Sequence, residues 1–556
     1  MTQLVECVPN FSEGRDKAVI DAIARAIASV GGVTLLDVDP GADTNRTVYT
    51  FVGPPDAVSE ALLRGADAAA THIDMATHHG AHPRIGALDV CPIVPVSGIT
   101  MEACVDVARA LGRTLADRLH LPVYFYEHAA TSDERRSLAT IRAGEYEGLA
   151  AKLADPAWRP DCGPAAFNPR LGATVVGARE FLIAYNVNLN TRDKKLAHEI
   201  ALNIREGGRL KRDASGQVVV DEEGQQVKTP GRLKAVRAIG WYIDQYRQAQ
   251  VSINLLDYTT TPLHEVFEAV RDEAARLGLV VTGSELVGLT PLRPLVEAGR
   301  YYLAKQGRST GMPERELVET AVLSLGLAQL APFDPEKKVV EYAVRAPSPL
   351  ASIPLDRFAD EVSSSSPAPG GGSVAALAGS LAAALAAMVA NLTVGKRGYE
   401  DAWTPLSALA ERAQTIKAAL LNAVDEDTRA FDGVLAAMRL PKATDTQQRA
   451  RADALRAAYE HATRVPLETA RLSAEALQLT VDAARRGNRN SASDAGVGAL
   501  LARAAVEGAA LNVRTNLTAL EDGEFRTACH DAVVALEIEA PRLLEQAMDA
   551  VRAAMR

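Results

Sequence analysis

Cysteine is scarce in this chain: five in 556 residues, at positions 7, 91, 104, 162 and 529, with no C-x-x-C pair. That spacing excludes a disulfide framework and points to reduced thiols and a cytoplasmic location. An excess of positive charge is missing as well. Sixty Lys and Arg stand against 70 Asp and Glu, a formal net charge of −10, so no nucleic-acid partner is expected. Residues 1–20 have no basic start followed by an apolar core, and no signal peptide is expected. Long uncharged apolar runs are rare; Val374 to Leu392 is the notable one, about as long as a membrane-spanning helix. Its bulk is alanine with Gly379 and Ser380, small residues that let helices approach closely. A buried helix, and no membrane span, is the expectation.

What is present reads as a soluble globular chain, 47% apolar and 23% charged, long enough for three or four domains. Strand and helix patterns alternate through Leu4–Val8, Asp16–Ser29, Val33–Val38, Thr47–Val52, Pro55–Ala70, Ala87–Val94, 101–119 and Val123–Tyr126. This predicts an open α/β sheet with helices on one side. A comparable order recurs after Gly172: Phe181–Val187, Arg192–Ile204, Ala235–Trp241, Ala249–Leu255, Pro262–Leu277 and Val280–Thr282. The halves are not visibly similar in sequence, so the repeat is one of architecture. Gln217–Val227 reads as a small solvent-facing hairpin flanked by basic residues. Prolines 332, 335, 347, 349 and 354 mark a linker, beyond which alanine-rich helices dominate. Helices are expected at about 355–363, 373–394, 402–438, 446–480, 491–521 and 524–555. The fold class is therefore α/β, two sheet-and-helix subdomains at 1–178 and 179–331, then a linker at 332–354 and an all-α helical bundle at 355–556.

Three stretches carry candidate chemistry. His78-His79-Gly80-Ala81-His82-Pro83-Arg84 places three histidines on a loop entering a buried strand. Acid/base work, a metal site and structural histidines are all open readings, although Gly80 and Pro83 argue against the helix that would align His78 with His82 as a metal pair. Pro369-Gly370-Gly371-Gly372-Ser373 runs into a helix and leaves first-turn N–H groups open, without the Lys-Ser/Thr ending of a nucleotide loop. Asp425-Glu426-Asp427 crowds three acids in mid-helix, where like charges raise one another's pKa; a solvated acidic face is the alternative. Gly487–Asp494 adds polar side chains at a helix start, for which N-capping is the plain explanation.

Longer motifs narrow these readings. Glu6–Gly14, Asp37–Gly41, Asn45-Arg46-Thr47-Val48, His82–Pro92, Gly163–Thr174, Ile239-Gly240-Trp241-Tyr242 and Gln250–Asp257 resemble glutamate formimidoyltransferase. Pro369–Ala376 and Val424–Asp427 resemble formimidoyltetrahydrofolate cyclodeaminase. Together they resemble the fused formimidoyltransferase-cyclodeaminase family over nearly the whole chain, with the hairpin at Gln217–Lys228 as a departure. The resemblance implies two steps, with N-formimidoylglutamate and tetrahydrofolate as small-molecule substrates. A formimidoyl group passes to N5 of tetrahydrofolate, and the ring then closes to 5,10-methenyltetrahydrofolate with release of ammonia. It implies His82 as the acid/base residue of transfer; Asp39, at the end of a strand, is a candidate to orient His82 or hold the cationic carbon, with strand-end turn capping as its plain alternative. Arg46 and Arg84 would clamp carboxylates. The folate-binding segment would be Gly163, Pro164, Phe167, Asn168 and Gly172. For ring closure it implies Asp427, in preference to Asp425, as the acid. Gly370, Gly371, Gly372 and Ser373 would hold the folate, with Asn488, Ser491, Asp494, Asn512 and Asn516 as weaker candidates for holding its pterin or amide. No metal and no tightly bound cofactor is expected; the co-substrate is tetrahydrofolate, polyglutamylated, on a homo-oligomer. Two rivals are a formyl-handling relative, which differs by one heteroatom, and a folate-binding assembly with a non-catalytic bundle.

Overall fold

The computed structural model describes residues 3–42, 44–80, 83–221, 224–244, 246–345 and 348–556. The first sheet is built by β1 (Leu4–Cys7), β2 (Asn10–Phe11), β3 (Thr34–Gly41), β4 (Arg46–Gly53), β5 (Leu88–Ser97), β6 (Val123–Glu127) and β7 (Thr174–Ala178). Collinear β1 and β2 lie between β4 and β5, β3 edges β4, and β7 and β6 extend β5 in parallel. Helices α1 (Lys17–Ala28), α2 (Pro55–His72) and α3 (Met101–Leu119) cover one face. Asp16 caps α1 by accepting from the N–H groups of Ala18 and Val19, and Ile20, Ile23 and Ile27 recur at helical spacing to meet Phe11, Tyr49 and Phe51.

Helices do not stay on one side, as the sequence suggested. Tyr124, Tyr126 and Val175 make the other face of β6 and β7 apolar as well, and α4 (Leu138–Arg142) and α5 (Glu145–Ala154) cover it through Ile141, Leu149 and Leu153. The second sheet contains β8 (Ile183–Leu189), the short excursion β9 (Arg209–Leu210) with β10 (Lys228–Thr229) apart from it, then β11 (Val236–Ile243), β12 (Gln248–Leu255) and β13 (Val281–Val287). Its helices are α6 (Lys194–Ile204) and α7 (Leu263–Arg276). Its order, β11-β12-β8-β13, repeats β3-β4-β1-β5 of the first sheet, so both halves are βαββαβ units.

Next come α8 (Leu292–Lys305), α9 (Glu314–Leu325), α10 (Pro335–Lys338) and α11 (Val340–Ala343). The chain forms two compact units: Met1–Pro294 with Leu325–Arg345, and Leu295–Ser324 with Ala346–Arg556. This cuts across the expected linker. Val339, Val340 and Tyr342 are buried, and Val339 bridges to Thr290, so part of 332–354 packs into the α/β unit. The turn after α8 belongs instead to the helical unit, where Ser309 Oγ donates to Asn391 Oδ1 at 2.6 Å and Ser407 Oγ takes the Thr310 N–H at 3.0 Å.

The helical unit continues with α12 (Leu355–Val362), α13 (Gly371–Asn391), α14 (Trp403–Met438), α15 (Asp445–Arg486), α16 (Ala492–Leu517) and α17 (Glu524–Ala554). Alanines 376, 383, 386, 387 and 390 of α13 and 495, 499, 502, 505 and 509 of α16 are buried, which is how two helices with little bulk form the centre of the bundle. By length and composition alone Gly371–Asn391 and Arg489–Leu517 meet the requirement for crossing a membrane; 61% and 50% of their apolar windows are buried inside the protein.

Candidate active sites

The histidine loop is pinned from two sides. Asn45, at the tip of the β3–β4 hairpin with φ +47°, donates from Nδ2 to the His79 carbonyl at 3.0 Å, while its own carbonyl lies 2.9 Å from His78 Nε2. From the other side the buried Arg84 donates through Nε to His78 Nδ1 at 3.4 Å and through Nη2 to the His78 carbonyl at 3.1 Å. Its two terminal nitrogens also grip Glu147 at 2.8 and 2.7 Å, and Glu145 at 3.1 Å. Since His78 Nδ1 accepts from Arg84, Nε2 carries the proton donated to Asn45. Burial, then the Arg84 charge, lowers the His78 pKa against the pull of the Asn45 carbonyl. His78 is thus a neutral structural histidine with both ring nitrogens engaged. His82 lies outside the described residues. Its neighbours His79, Gly80 and Arg84 line a cavity of about 430 Å³ together with Gly144, Glu145 and Glu147.

Arg84 does not stand as an open carboxylate clamp, because the protein's own carboxylates hold it. Arg46 is placed differently. Burial and the nearby Arg142 lower its pKa, against the charges of Asp89 and Asp39. Asp89 is fully buried, accepts the Ile85 N–H at 2.7 Å and pairs with Arg142. The exposed Asp39 faces Val48 across the β3–β4 ladder. The expected folate segment has local structural work to do. Gly172 has φ +70°, and a Cβ there would lie 2.1 Å from the Ile85 carbonyl, so glycine is required where the chain crosses beneath the histidine loop. Asn168 Oδ1 accepts the N–H groups of Arg170 and Leu171 at 3.2 and 3.0 Å, and Phe167 packs on Tyr146. Gly163 and Pro164 are exposed.

In the bundle, Gly370, Gly371, Gly372, Asp427 and Asn512 do meet, around a cavity of about 410 Å³. The first turn of α13 lies directly over α14. A Cβ on Gly372 would sit 2.1 Å from Asp427 Oδ1, so any larger residue there must displace the Asp427 carboxyl. Ser373 Oγ donates to the Val424 carbonyl at 2.8 Å and stands 3.3 Å from Asp427 Oδ2. Burial raises the Asp427 pKa, opposed by the Ser373 hydroxyl and backbone N–H. Burial, and not the crowding of like charges, is the cause. Phe431, one turn beyond Asp427, joins Tyr459 and Asn516 on the lining; Phe431 and Tyr459 were not among the expected residues. The i, i+4 spacing from Asp427 was the available signal for Phe431.

Three expected residues stand apart. Asp425 is buried as a cap: it accepts the N–H groups of Leu350 and Ala351 at 2.8 and 3.3 Å and pairs with the Ser348 hydroxyl. Asn488 holds the far end of α13, donating to Ser491 Oγ at 3.1 Å and to Thr393 Oγ1 and the Leu392 carbonyl at 3.3 Å. Leu392 follows Gly372 by twenty residues, roughly 30 Å along a helix, so Asn488 is not part of the Asp427 site. Asp494 is about five helical turns from Asn512 on α16 and is separated from that site likewise.

Comparison with known proteins adds the following. Residues 4–179 match the formiminotransferase domain's N-terminal subdomain, residues 184–345 the formiminotransferase domain, and residues 354–535 formiminotransferase-cyclodeaminase. A formimidoyltransferase-cyclodeaminase of Mus musculus is 46% identical over 543 residues, covering 97% of each chain. A glutamate formimidoyltransferase of Streptococcus pyogenes serotype M1 is 40% identical over 303 residues, 54% of this chain and 94% of its own. A methenyltetrahydrofolate cyclohydrolase of Methylorubrum extorquens is 38% identical over 198 residues, 36% of this chain and 95% of its own.

Proposed function

The chain belongs to the formimidoyltransferase-cyclodeaminase family, and from that we infer that it is a bifunctional folate enzyme. It transfers the formimidoyl group of N-formimidoyl-L-glutamate to N5 of tetrahydrofolate. It then closes 5-formimidoyltetrahydrofolate to 5,10-methenyltetrahydrofolate, releasing ammonia.

In the transfer, N5 loses a proton as it attacks the formimidoyl carbon, and the departing glutamate nitrogen gains one. We assign that exchange to His82, which in sequence follows His79, held by Asn45, and precedes Arg84, with Arg46 and Asp39 on the β3–β4 hairpin that carries Asn45. In the closure, N10 attacks the same carbon and the nitrogen leaves as ammonia once protonated. The observation that carries this step is Asp427: a carboxyl whose pKa burial raises, at the floor of a cavity beside glycine backbone. A carboxylic acid that stays protonated above the usual range is what the leaving nitrogen requires. Residues 1–331 would carry the transfer and 355–556 the closure. Homo-oligomerisation, a polyglutamylated folate without a tightly bound cofactor, and a cytoplasmic location with five free thiols complete the reading.

The test follows methenyltetrahydrofolate absorbance and released ammonia together, for wild type, His82→Ala and Asp427→Asn. Wild type should give both products. Asp427→Asn should stall at 5-formimidoyltetrahydrofolate, with closure slowed about 10²- to 10⁴-fold, and His82→Ala should lose transfer yet still close supplied intermediate. Full closure by Asp427→Asn would overturn the acid assignment. If wild type acts only on formyl donors, the substrate reading is wrong.

A further inference from the structure

The cavity at Asp427 has walls of opposite chemistry. Along α14, Phe431, Val434, Leu435 and Met438 follow Asp427 at i+4, i+7, i+8 and i+11, one face of a helix. None of these side chains is a strong hydrogen-bonding group. Phe431 and Met438 are 37% and 44% exposed, so this wall leads out to solvent.

A second wall is α16, where Asn512 and Asn516 stand one turn apart. Each amide is fixed in its sense. Asn512 Nδ2 donates to the Gly508 carbonyl at 2.8 Å, and Asn516 Nδ2 donates to the Ala462 carbonyl of α15 at 2.7 Å. The reverse sense would set oxygen against oxygen. Among the described residues neither Oδ1 takes a hydrogen bond, so the pair offers the cavity two acceptors. The first turn of α13 links this wall to the acid. Gly372 abuts Asp427, and a Cβ on Gly371 would lie 3.6 Å from Asn512 Nδ2. The Ser373 N–H serves Asp427, while those of Gly371 and Gly372 have no acceptor within the helix. The order is therefore acid, backbone donors, then two amide acceptors. A reduced pteridine carries the complementary order along one edge: N5, the carbonyl O4, the N3–H and the 2-amino group.

We propose that 5-formimidoyltetrahydrofolate lies in this cavity in one direction. Its pteridine rests against α13 and α16, with O4 on the Gly371 and Gly372 amides and the N3–H and 2-amino group on the Asn512 and Asn516 oxygens. Its aminobenzoyl ring runs along α14 from Phe431 towards Met438, which brings the glutamate carboxylates to solvent. The opposite direction would leave pterin donors against aliphatic side chains and amide oxygens against a benzene ring. This deepens the ring-closure reading and rests on it.

The test measures closure of supplied 5-formimidoyltetrahydrofolate, and of its analogue with methyl in place of the 2-amino group, by the full chain. Wild type, Asn516→Leu and Phe431→Ala are compared. Wild type should disfavour the analogue about tenfold in KM. Asn516→Leu should raise the KM of the natural substrate by a similar factor and barely distinguish the two. Phe431→Ala should raise both KM values together and keep the discrimination. A wild type indifferent to the 2-amino group overturns the proposal, whether or not the variants fold. So does discrimination kept by Asn516→Leu, or lost in Phe431→Ala, the pattern of the opposite direction. A wild type that closes neither substrate would instead overturn the ring-closure reading itself.

Discussion

The two candidate sites place their chemistry in different ways. In the α/β unit the histidine segment is a loop, and a loop brings no rigidity of its own. It is held by a hairpin tip through Asn45 and by the guanidinium of Arg84, itself tied to Glu145 and Glu147 in the first turn of α5. In the bundle the key carboxyl projects from the middle of a 36-residue helix, and the site is completed by one close approach, that of Gly372 to Asp427. A loop site therefore spreads its dependence over several polar pins, whereas a helix site concentrates it on one missing side chain. Substitutions should expose that contrast.

The sharpest test is Gly372→Ala. The added methyl would sit 2.1 Å from Asp427 Oδ1 and push that carboxyl from its place. Closure should fall about 10²-fold or more while transfer is untouched, read by accumulation of 5-formimidoyltetrahydrofolate. Normal closure would mean that the helices part easily and that the close approach is incidental. For the loop, Arg84→Ala should cost about 1–3 kcal/mol, because His78 loses its donor and two carboxylates lose their partner. Arg84→Lys should recover only part of this, since an ammonium cannot reproduce the bidentate grip on Glu147. Urea unfolding alongside transfer rates would check both, and a Lys variant equal to wild type would reduce Arg84 to a simple charge. Next in size is Asp425→Ala, which removes the acceptor for Ser348, Leu350 and Ala351. It should cost about 1–3 kcal/mol of stability and leave closure per folded molecule intact. A specific loss of closure would return Asp425 to the chemistry.

These contrasts also mark what was legible in the residues. The βαββαβ order and the six helices α12 to α17 follow from period and punctuation, and their bounds agree with the structure to within a few residues, save at the end of 445–486. The preference for Asp427 over Asp425 came from the resemblance; helical period says only that the two, turned about 200° apart, face different ways, and it is Asp427 that lines the cavity. Distance along a helix was harder to read. Asn488 and Asp494 shared the chemistry of a folate site, but the straight run of α13 and α16 carries them to the opposite end. Helices α4 and α5 escaped notice because they cover the second face of a sheet whose tyrosines, not aliphatics, make it apolar. The roles of Arg84 and Asn45 were hidden as well, since hydrogen bonds across 61 to 63 residues and 33 to 34 residues leave no local pattern.

The smallest effect expected is also one of stability, and it has an unusual sign. Burial raises the Asp427 pKa above that of the unfolded chain, so the native state binds this proton more tightly than the unfolded state does. Its contribution is fully present below the ordinary carboxylate pKa of about 3.9. It is lost as pH rises through the folded-state value, because ionisation then favours the unfolded chain. Asparagine keeps the shape and never ionises. Asp427→Asn should therefore melt higher than wild type at neutral pH, the gap narrowing as pH falls and closing in acid, while ring closure is lost. No comparable gain is expected at Asp425, whose carboxylate is satisfied by two backbone N–H groups and a hydroxyl. Melting curves of both variants across pH would decide the matter. Parallel profiles for wild type and Asp427→Asn would mean that the Asp427 proton is not held by burial, and the acid proposed for ring closure would lose its physical basis.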